Sequence, residues 1–319
     1  MYIIKYINFW NKNQYIKNYI DFIEFGLKKC NIDTIIDNNC KNPDILISSV
    51  FGNPKSLSDY NSKKTFIILI TGENTQQKVF KKWNYDNLSS KYNIGAYISF
   101  DKIETSKRFR VPNWIYDYRL FTDEDSHVKQ CICLNERKNL ENRKKQISIV
   151  NSHGRNFRSH FYDKCNQSNI AVSCGGNFKK NDDDLQKLEL YKNRTLAKRE
   201  YLSQFVFNLC CENSNTKGYC TEKLLECVIS GCIPIYWGDY DNEEIFNQER
   251  IIKCDLKNEH CLDKIISKIK YMLNNEKYLE DFFSKSIFTE NAIEYIESYS
   301  KKSIVIAKKI ILFKSKNKN

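Results

Sequence analysis

The sequence predicts an α/β protein of two doubly wound domains with a helical C-terminus. Three observations lead there. The chain has 319 residues, about twice the length of one ordinary domain. Short runs of β-branched and other apolar residues recur, bounded by polar turns, as expected of parallel strands covered on both faces. These runs alternate with helix-period segments in two separate series, the pattern of doubly wound sheets.

In chain order, Tyr2 to Trp10 reads as a strand. The next segment, Tyr15 to Leu27, places Ile16, Tyr19, Ile20, Ile23 and Leu27 at helical spacing. Pro43 then introduces the buried strand Asp44 to Val50. KTFIILI (Lys64 to Ile70) is another strand, closed by Gly72, and Ile94 to Phe100 is a further one. Asp123 to Lys145 is charged and weakly periodic, so the domain boundary is set there, near residue 142. The second series has strands at Gln146–Asn151, Ile170–Cys174, Phe205–Cys211, Ile233–Trp237 and Ile251–Asp255. Its helices fall at Asn156–Gln167, about 183–203 and Thr221–Ser230. The last hundred residues turn helical. The expected domains are 1–142 and 143–300, with 301–319 as a basic helix or tail.

Hydrophobic residues make up 41% and charged residues 28%, which excludes a disordered chain. There is no run of about 18 apolar residues for a membrane span. The N-terminus lacks a basic n-region and a small-residue cleavage site. The expectation is a cytoplasmic protein with neither signal peptide nor anchor. Thirteen cysteines, mostly inside apolar runs such as Cys210, Cys211, Cys227 and Cys232, read as reduced, buried thiols. His127 with Cys131 and Cys133 has a spacing open to zinc; incidental thiols are the preferred reading. The net charge of +12 suits an anionic partner. No helix-turn-helix, zinc-finger or RNA-binding signature is present, so nucleic acid is not expected. Lys301 to Asn319 carries seven Lys and no acid. It reads as an amphipathic helix making weak peripheral contact with anionic lipid, or as a final helix packing back on the first domain, the preferred reading.

The densest chemistry lies between 205 and 241. A buried strand ends at Cys211 and delivers Glu212, Asn213 and Ser214 at its carboxyl end, where open α/β sheets bind ligands. Gly218 leads to Thr221, an N-cap type. Glu222 and Lys223 occupy the first helical turn, and Gly231 closes the helix. A helix N-terminus beside Lys223 is suited to a diphosphate, and Glu222 to ribose hydroxyls. The same residues also read as a capped helix with a solvated Glu–Lys pair.

Phe207 to Ser214 (FNLCCENS), Gly218 to Lys223 (GYCTEK) and Ile233 to Gly238 (IPIYWG) together resemble the donor motif of α-1,3-fucosyltransferases, especially the bacterial Lewis-antigen-forming enzymes. Asp44 to Pro54, Thr71-Gly-Glu-Asn74, Arg158 to Asp163, the Gly175–Gly176 turn and Tyr201 to Gln204 are similar to further family segments. The likeness is weak between 75 and 140 and fades beyond about 256.

The resemblance implies the GT-B architecture, two Rossmann-like domains facing a cleft, with acceptor domain first and GDP-sugar domain second. It implies inverting transfer of L-fucose from GDP-β-L-fucose to a hydroxyl, the 3-OH, of GlcNAc or glucose in a glycan. Glu73 is then the catalytic general base. Arg158, Asn213, Tyr219, Glu222 and Lys223 bind the donor, and Arg155 is either an assistant or a surface residue. No metal ligand is assigned and no cofactor is required, with Mn2+ or Mg2+ at most stimulating. After the Gly the family has a small residue and Pro, where this chain has Gly238-Asp239-Tyr240-Asp241; Asp239 with Asp241 also fits the metal pair of another glycosyltransferase fold. Asp123/Asp125 and Asp182/Asp184 repeat that pattern as charge runs. The alternatives are a GDP-sugar transferase of other donor or acceptor, and a non-catalytic nucleotide-sugar-binding module.

Overall fold

The protein is described by a computed structural model covering residues 1–10, 13–60, 64–122, 127–133, 140, 143–155, 157–239, 244–255 and 260–317. The chain divides into two compact units. The first comprises Met1–Lys129, Thr216–Tyr219 and Ile293–Asn319, and the second Gln130–Asn215 and Cys220–Ala292.

The first unit runs β1 (Tyr2–Ile7), α1 (Asn13–Lys29), β2 (Thr34–Ile36), β3 (Ile45–Ser48), β4 (Phe66–Ile70), α2 (Tyr85–Ser89), β5 (Ile94–Ser99), β6 (Arg108–Arg110) and α3 (Asn113–Asp117). Its six strands pair in parallel in the order β2-β1-β3-β4-β5-β6. The order reverses between β1 and β3, so the carboxyl ends of those strands open the crevice typical of such sheets. β3 and β4 are buried along their whole length, which explains their unbroken apolar sequences. β1 stops at Ile7 rather than Trp10, because Asn8 turns into the left-handed region at φ 59°. Its side chain then donates to Ser48 Oγ and Ser56 Oγ, both at 3.0 Å. β2 and β6, three residues each, complete the sheet edges.

The second unit holds β7 (Lys145–Ile149), α5 (Arg158–Gln167), β8 (Val172–Cys174), α6 (Asp184–Glu189), α7 (Arg194–Leu202), β9 (Phe205–Cys211), α8 (Glu222–Ile229), β10 (Ile233–Trp237), β11 (Ile252–Lys253), α9 (Cys261–Leu273) and α10 (Glu276–Ser284). The short α4 (His127–Cys133) leads into it. Its sheet is parallel with order β11-β10-β9-β7-β8, so the reversal lies between β7 and β9. Asn208 of β9, 5% exposed, ties the two strands by donating to Ser148 Oγ at 2.8 Å and Ser148 O at 3.1 Å. The core under this sheet is built from Ile147, Ile149, Phe161, Phe207, Leu209, Ile233 and Ile269.

One sequence expectation is corrected and one is met. The single helix expected over 183–203 is two, α6 and α7. Asn193 accepts from Leu196 N at 3.0 Å and caps α7 as a new start, which a continuous helix would not allow. The boundary expected near residue 142 lies outside the described residues, as does the helix start at Asn156; the contact division falls between Lys129 and Gln130. The tail from 301 forms the final helix packing back on the first domain that the sequence favours, although it is no separate piece. It continues the helix α11 (Ala292–Lys316), which belongs to the first unit. There Ile306, Ala307 and Ile310 are at most 1% exposed, and Lys314 pairs with Asp44 and donates to Lys64 O at 3.0 Å. Gly26 of α1 permits this packing, since a Cβ at that position would lie 2.2 Å from Ser303 O. Among the described residues no helix is long and apolar enough to cross a membrane.

Candidate active site

The second unit gathers charged side chains where its strand order reverses. β9 ends in Cys211, and the next residue, Glu212, is fully buried. A buried carboxylate must be compensated, and here the loop ahead of α8 does it. Thr221 N donates to Glu212 Oε1 at 2.8 Å, Thr221 Oγ1 donates to Oε2 at 2.7 Å, and Lys223 Nζ donates to Oε2 at 3.3 Å. Lys223 Nζ also donates to Thr221 Oγ1 at 2.7 Å and reaches Glu222 Oε1 at 3.5 Å. Thr221 stands at the N-cap but makes no capping bond. Its hydroxyl is taken by Glu212, because a buried carboxylate is a stronger acceptor site for it than the helix's own amides. The N-terminal turn of α8 keeps the partial positive charge of a helix terminus, and the Glu222 carboxylate accepts from its own amide there.

Arg158, the first residue of α5, is 2% exposed and crosses to the end of β9. Its Nη2 donates to Cys211 O at 2.7 Å and Glu212 O at 3.3 Å, and Nη1 to His153 O at 3.2 Å. Its Nε, and Asn151 Oδ1 beyond the end of β7, are buried with no hydrogen-bond partner among the described residues. Buried polar atoms of this kind mark a site built for a further polar group. Asn213 is exposed beside this cluster and Arg155 lies on the surface. Glu222 has its carboxyl held down at about 2: burial would raise it, but the Lys223 and Lys198 charges outweigh that. Lys198 of α7 pairs with Glu226, and Gly231 N closes α8 on Val228 O at 2.9 Å.

Tyr219 falls in the first unit with Thr216–Gly218. It is 3% exposed, its ring 5.0 Å from that of Phe100. Gly218, at φ 87°, sits where a Cβ would lie 2.6 Å from Arg110 Nη1, so only glycine fits. Arg110 Nη1 donates to Gly218 O at 3.4 Å, and Asn74 Nδ2 to Thr216 Oγ1 at 2.6 Å. Asn74 follows Glu73, so the segment 216–219 is fastened to the loop that carries the expected base.

Glu73 lies three residues past the carboxyl end of β4. Its amide donates to Thr71 Oγ1 at 2.9 Å, which fixes the turn. Tyr19 of α1 donates to Asn113 Oδ1 beneath Gly72. Burial first, then the Asp117, Glu73 and Tyr219 groups, push its phenol well above its usual value, so it stays a neutral donor.

The structure therefore brings Arg158, Glu222 and Lys223 together, sets Asn213 exposed alongside them, and keeps Glu73 and Tyr219 within the first unit. Sequence reasoning gave no role to Glu212 or Tyr19. The signal for Glu212 was a lone carboxylate at the end of an apolar strand run. Of the Asp-x-Asp pairs, Asp241 and Asp123/Asp125 lie outside the described residues. Asp239 is 8% exposed. Asp182 and Asp184 both hold Lys145 Nζ at 2.8 Å. Among the described residues no group of three or more His, Cys, Asp or Glu is placed to hold a metal, and the His127 side chain is outside that set.

Two parallel sheets of six and five strands, each covered by helices, make the GT-B architecture that the sequence predicts. The same fold occurs in crystal structures titled alpha1,3-fucosyltransferase: TM-score 0.66 at 22% identity, covering 95% of this chain and 90% of that one, and TM-score 0.63 for a form with GDP-fucose. The chain belongs to glycosyltransferase family 10 (fucosyltransferase), whose C-terminal model matches residues 140–303. It is 29% identical over 267 residues to an alpha-(1,3)-fucosyltransferase of Helicobacter pylori, covering 73% of this chain and 50% of that protein. It is also 33% identical over 113 residues to a protein of Acanthamoeba polyphaga mimivirus named as a putative fucosyltransferase, covering 35% of this chain and 14% of that one. The chain thus spans about half or less of the length of these relatives.

Proposed function

We propose that this chain is an inverting α-1,3-fucosyltransferase that moves L-fucose from GDP-β-L-fucose to the 3-OH of GlcNAc or glucose in an oligosaccharide or glycoconjugate. The observation that carries the reading is the cluster of Arg158, Glu212, Thr221 and Lys223 at the carboxyl end of β9, in a chain of the fucosyltransferase family. Inversion is a single displacement at the anomeric carbon. Glu73 takes the proton of the attacking hydroxyl, a role worth about 10²–10⁴-fold. Charge developing on the departing diphosphate is met by Arg158, Lys223 and the N-terminal amides of α8. Glu212 holds Lys223 and the helix turn in place before the donor arrives, so little reorganisation accompanies transfer. Asn213, Tyr219 and Glu222 complete the donor site, with Glu222, ionised at neutral pH, accepting from sugar or ribose hydroxyls. On this reading no metal is required, since protein cations supply the charge, and Mn2+ or Mg2+ at most stimulates. The described cysteines, ten of the twelve being buried, suit a reducing compartment, and we take the reaction to be cytoplasmic.

The test is calorimetric titration with GDP, GDP-fucose, GDP-mannose and a UDP-sugar. The reading expects GDP and GDP-fucose to bind, and Lys223→Met to weaken both by at least tenfold. Binding of UDP-sugars in preference to GDP-fucose would overturn the donor assignment.

A further inference from the structure

A general base works only when its carboxylate is held to the attacking hydroxyl, and a displacement of about 1 Å costs on the order of 100-fold. Glu73 sits on a turn, not on a strand or helix, so its aim depends on what fixes that turn. Thr71 N donates to Ile98 O of β5 at 3.0 Å, and Thr71 Oγ1 accepts from Glu73 N at 2.9 Å. Past the base, Asn74 Oδ1 accepts from Gln76 N at 3.0 Å. Gly72, directly before the base, has no side chain by which to be held.

α1 and α3 hold it instead. The phenol oxygen of Tyr19 takes a backbone hydrogen bond from Gly72, and the hydroxyl donates to Asn113 Oδ1. Asn113 Nδ2 in turn donates to Asp117 Oδ2, one helical turn on, at 2.8 Å. A Cβ on Gly72 would lie 2.1 Å from Asn113 Oδ1 and 2.9 Å from Tyr19 Oη, so both oxygens press on the Cα next to Glu73. The Asp117 charge polarises the Asn113 amide and strengthens its oxygen as the acceptor for Tyr19. All of these residues lie in the first unit.

The Tyr19 ring does not depend on its hydroxyl to stay in place. It packs on Tyr116 at 4.7 Å and on Phe9 at 6.0 Å between ring centroids, and Tyr116 stands edge-on to Phe22 at 5.1 Å. A phenylalanine would fill the same space. The hydroxyl therefore serves its hydrogen bonds to the turn and not the packing.

We propose that Tyr19 is a positioning residue for the transfer step: its hydroxyl, braced by Asn113 and Asp117, holds Gly72 and so aims the Glu73 carboxylate at the acceptor hydroxyl. The inference rests on the reading of Glu73 as the base. Tyr19 acts through the turn, so its removal changes the rate of transfer and not the binding of GDP-fucose.

The test is a double-mutant cycle on the single-turnover rate of fucose transfer to N-acetyllactosamine, with enzyme in excess over GDP-fucose. Wild type, Tyr19→Phe, Glu73→Gln and the double variant are compared, and calorimetry reads GDP-fucose affinity on each. Tyr19→Phe should lower the rate about tenfold and leave the affinity within about twofold of wild type. In the Glu73→Gln background the same change should cost less than about twofold, because aim matters only while there is a base. Asn113→Ala, which removes the brace, should repeat both results. A purely structural role would slow both backgrounds by the same factor, and that result overturns the inference. So does a wild-type rate for Tyr19→Phe where Glu73→Gln is slowed, or a loss confined to GDP-fucose affinity. A wild-type rate for Glu73→Gln, by contrast, overturns the base reading itself and takes the inference with it.

Discussion

Glu212 allows the sharpest test of how the donor loop is built. Replacing it with Leu keeps the volume and removes an acceptor that serves Thr221 N, Thr221 Oγ1 and Lys223 Nζ. The Thr221 amide is then buried without its partner, at about 1–3 kcal/mol. The bond from Lys223 is charge-assisted, but Lys223 is 17% exposed and regains some solvent, so its loss is set at about 1 kcal/mol. The sum is about 3 kcal/mol, which for a unit of this size lowers Tm by roughly 6–12 °C. Glu212→Gln keeps an acceptor and loses the charge, so it should cost about 1–2 kcal/mol. Because Lys223 loses its anchor, GDP affinity should fall by about tenfold in the Leu variant. Scanning calorimetry and GDP titration on the same samples read both effects. A Leu variant that melts within 2 °C of wild type and binds GDP equally well would refute the reasoning.

Glu73→Gln should lose about 10²–10⁴-fold in transfer rate while GDP-fucose still binds, checked by GDP release and by titration. Arg158→Met should weaken GDP by at least tenfold and lower Tm, since three backbone carbonyls lose a buried donor. Glu222 has its carboxyl lowered from 4.5 to about 2. Its stabilising effect is present above pH 4.5 and is lost as pH falls toward 2, so Glu222→Gln should flatten the acid limb of the Tm–pH curve in that window. Under native conditions a maleimide should alkylate Cys30 and Cys40, the two half-buried thiols, well ahead of the ten buried ones, as read by mass spectrometry.

The strands of both sheet centres were legible because full burial writes itself as an unbroken apolar run: KTFIILI and FVFNLCC leave no other reading. The edge strands β2 and β6 were not, since three residues carry no period and their pairing is decided by neighbours distant in sequence. The split between α6 and α7 was hidden in a polar stretch where one side-chain cap at Asn193 decides the break. Glu222 and Lys223 were singled out through the donor motif and Arg158 through a separate segment; the structure joins them through Glu212. What the motif could not tell was how it is held. Thr221 looks like a helix cap in sequence, and only the burial of Glu212 turns its hydroxyl inward. The 216–219 segment reads as part of the donor loop, yet Gly218 and Tyr219 pack on Arg110 and Phe100, contacts separated by over a hundred residues that no local pattern encodes. The tail's apolar residues left lipid contact open beside the preferred packed helix, and the close approach of Gly26 to Ser303 decides for the latter.

The central claim is that Glu73 drives fucose transfer from GDP-fucose with inversion. The measurement is GDP-fucose turnover with a glycan acceptor by wild type and Glu73→Gln, with the product's anomeric proton read by NMR. The account predicts acceptor-dependent GDP release by wild type, an α-linked fucoside, and loss of transfer with retained donor binding in the variant. Transfer at the wild-type rate by Glu73→Gln, or a β-linked product, would contradict it.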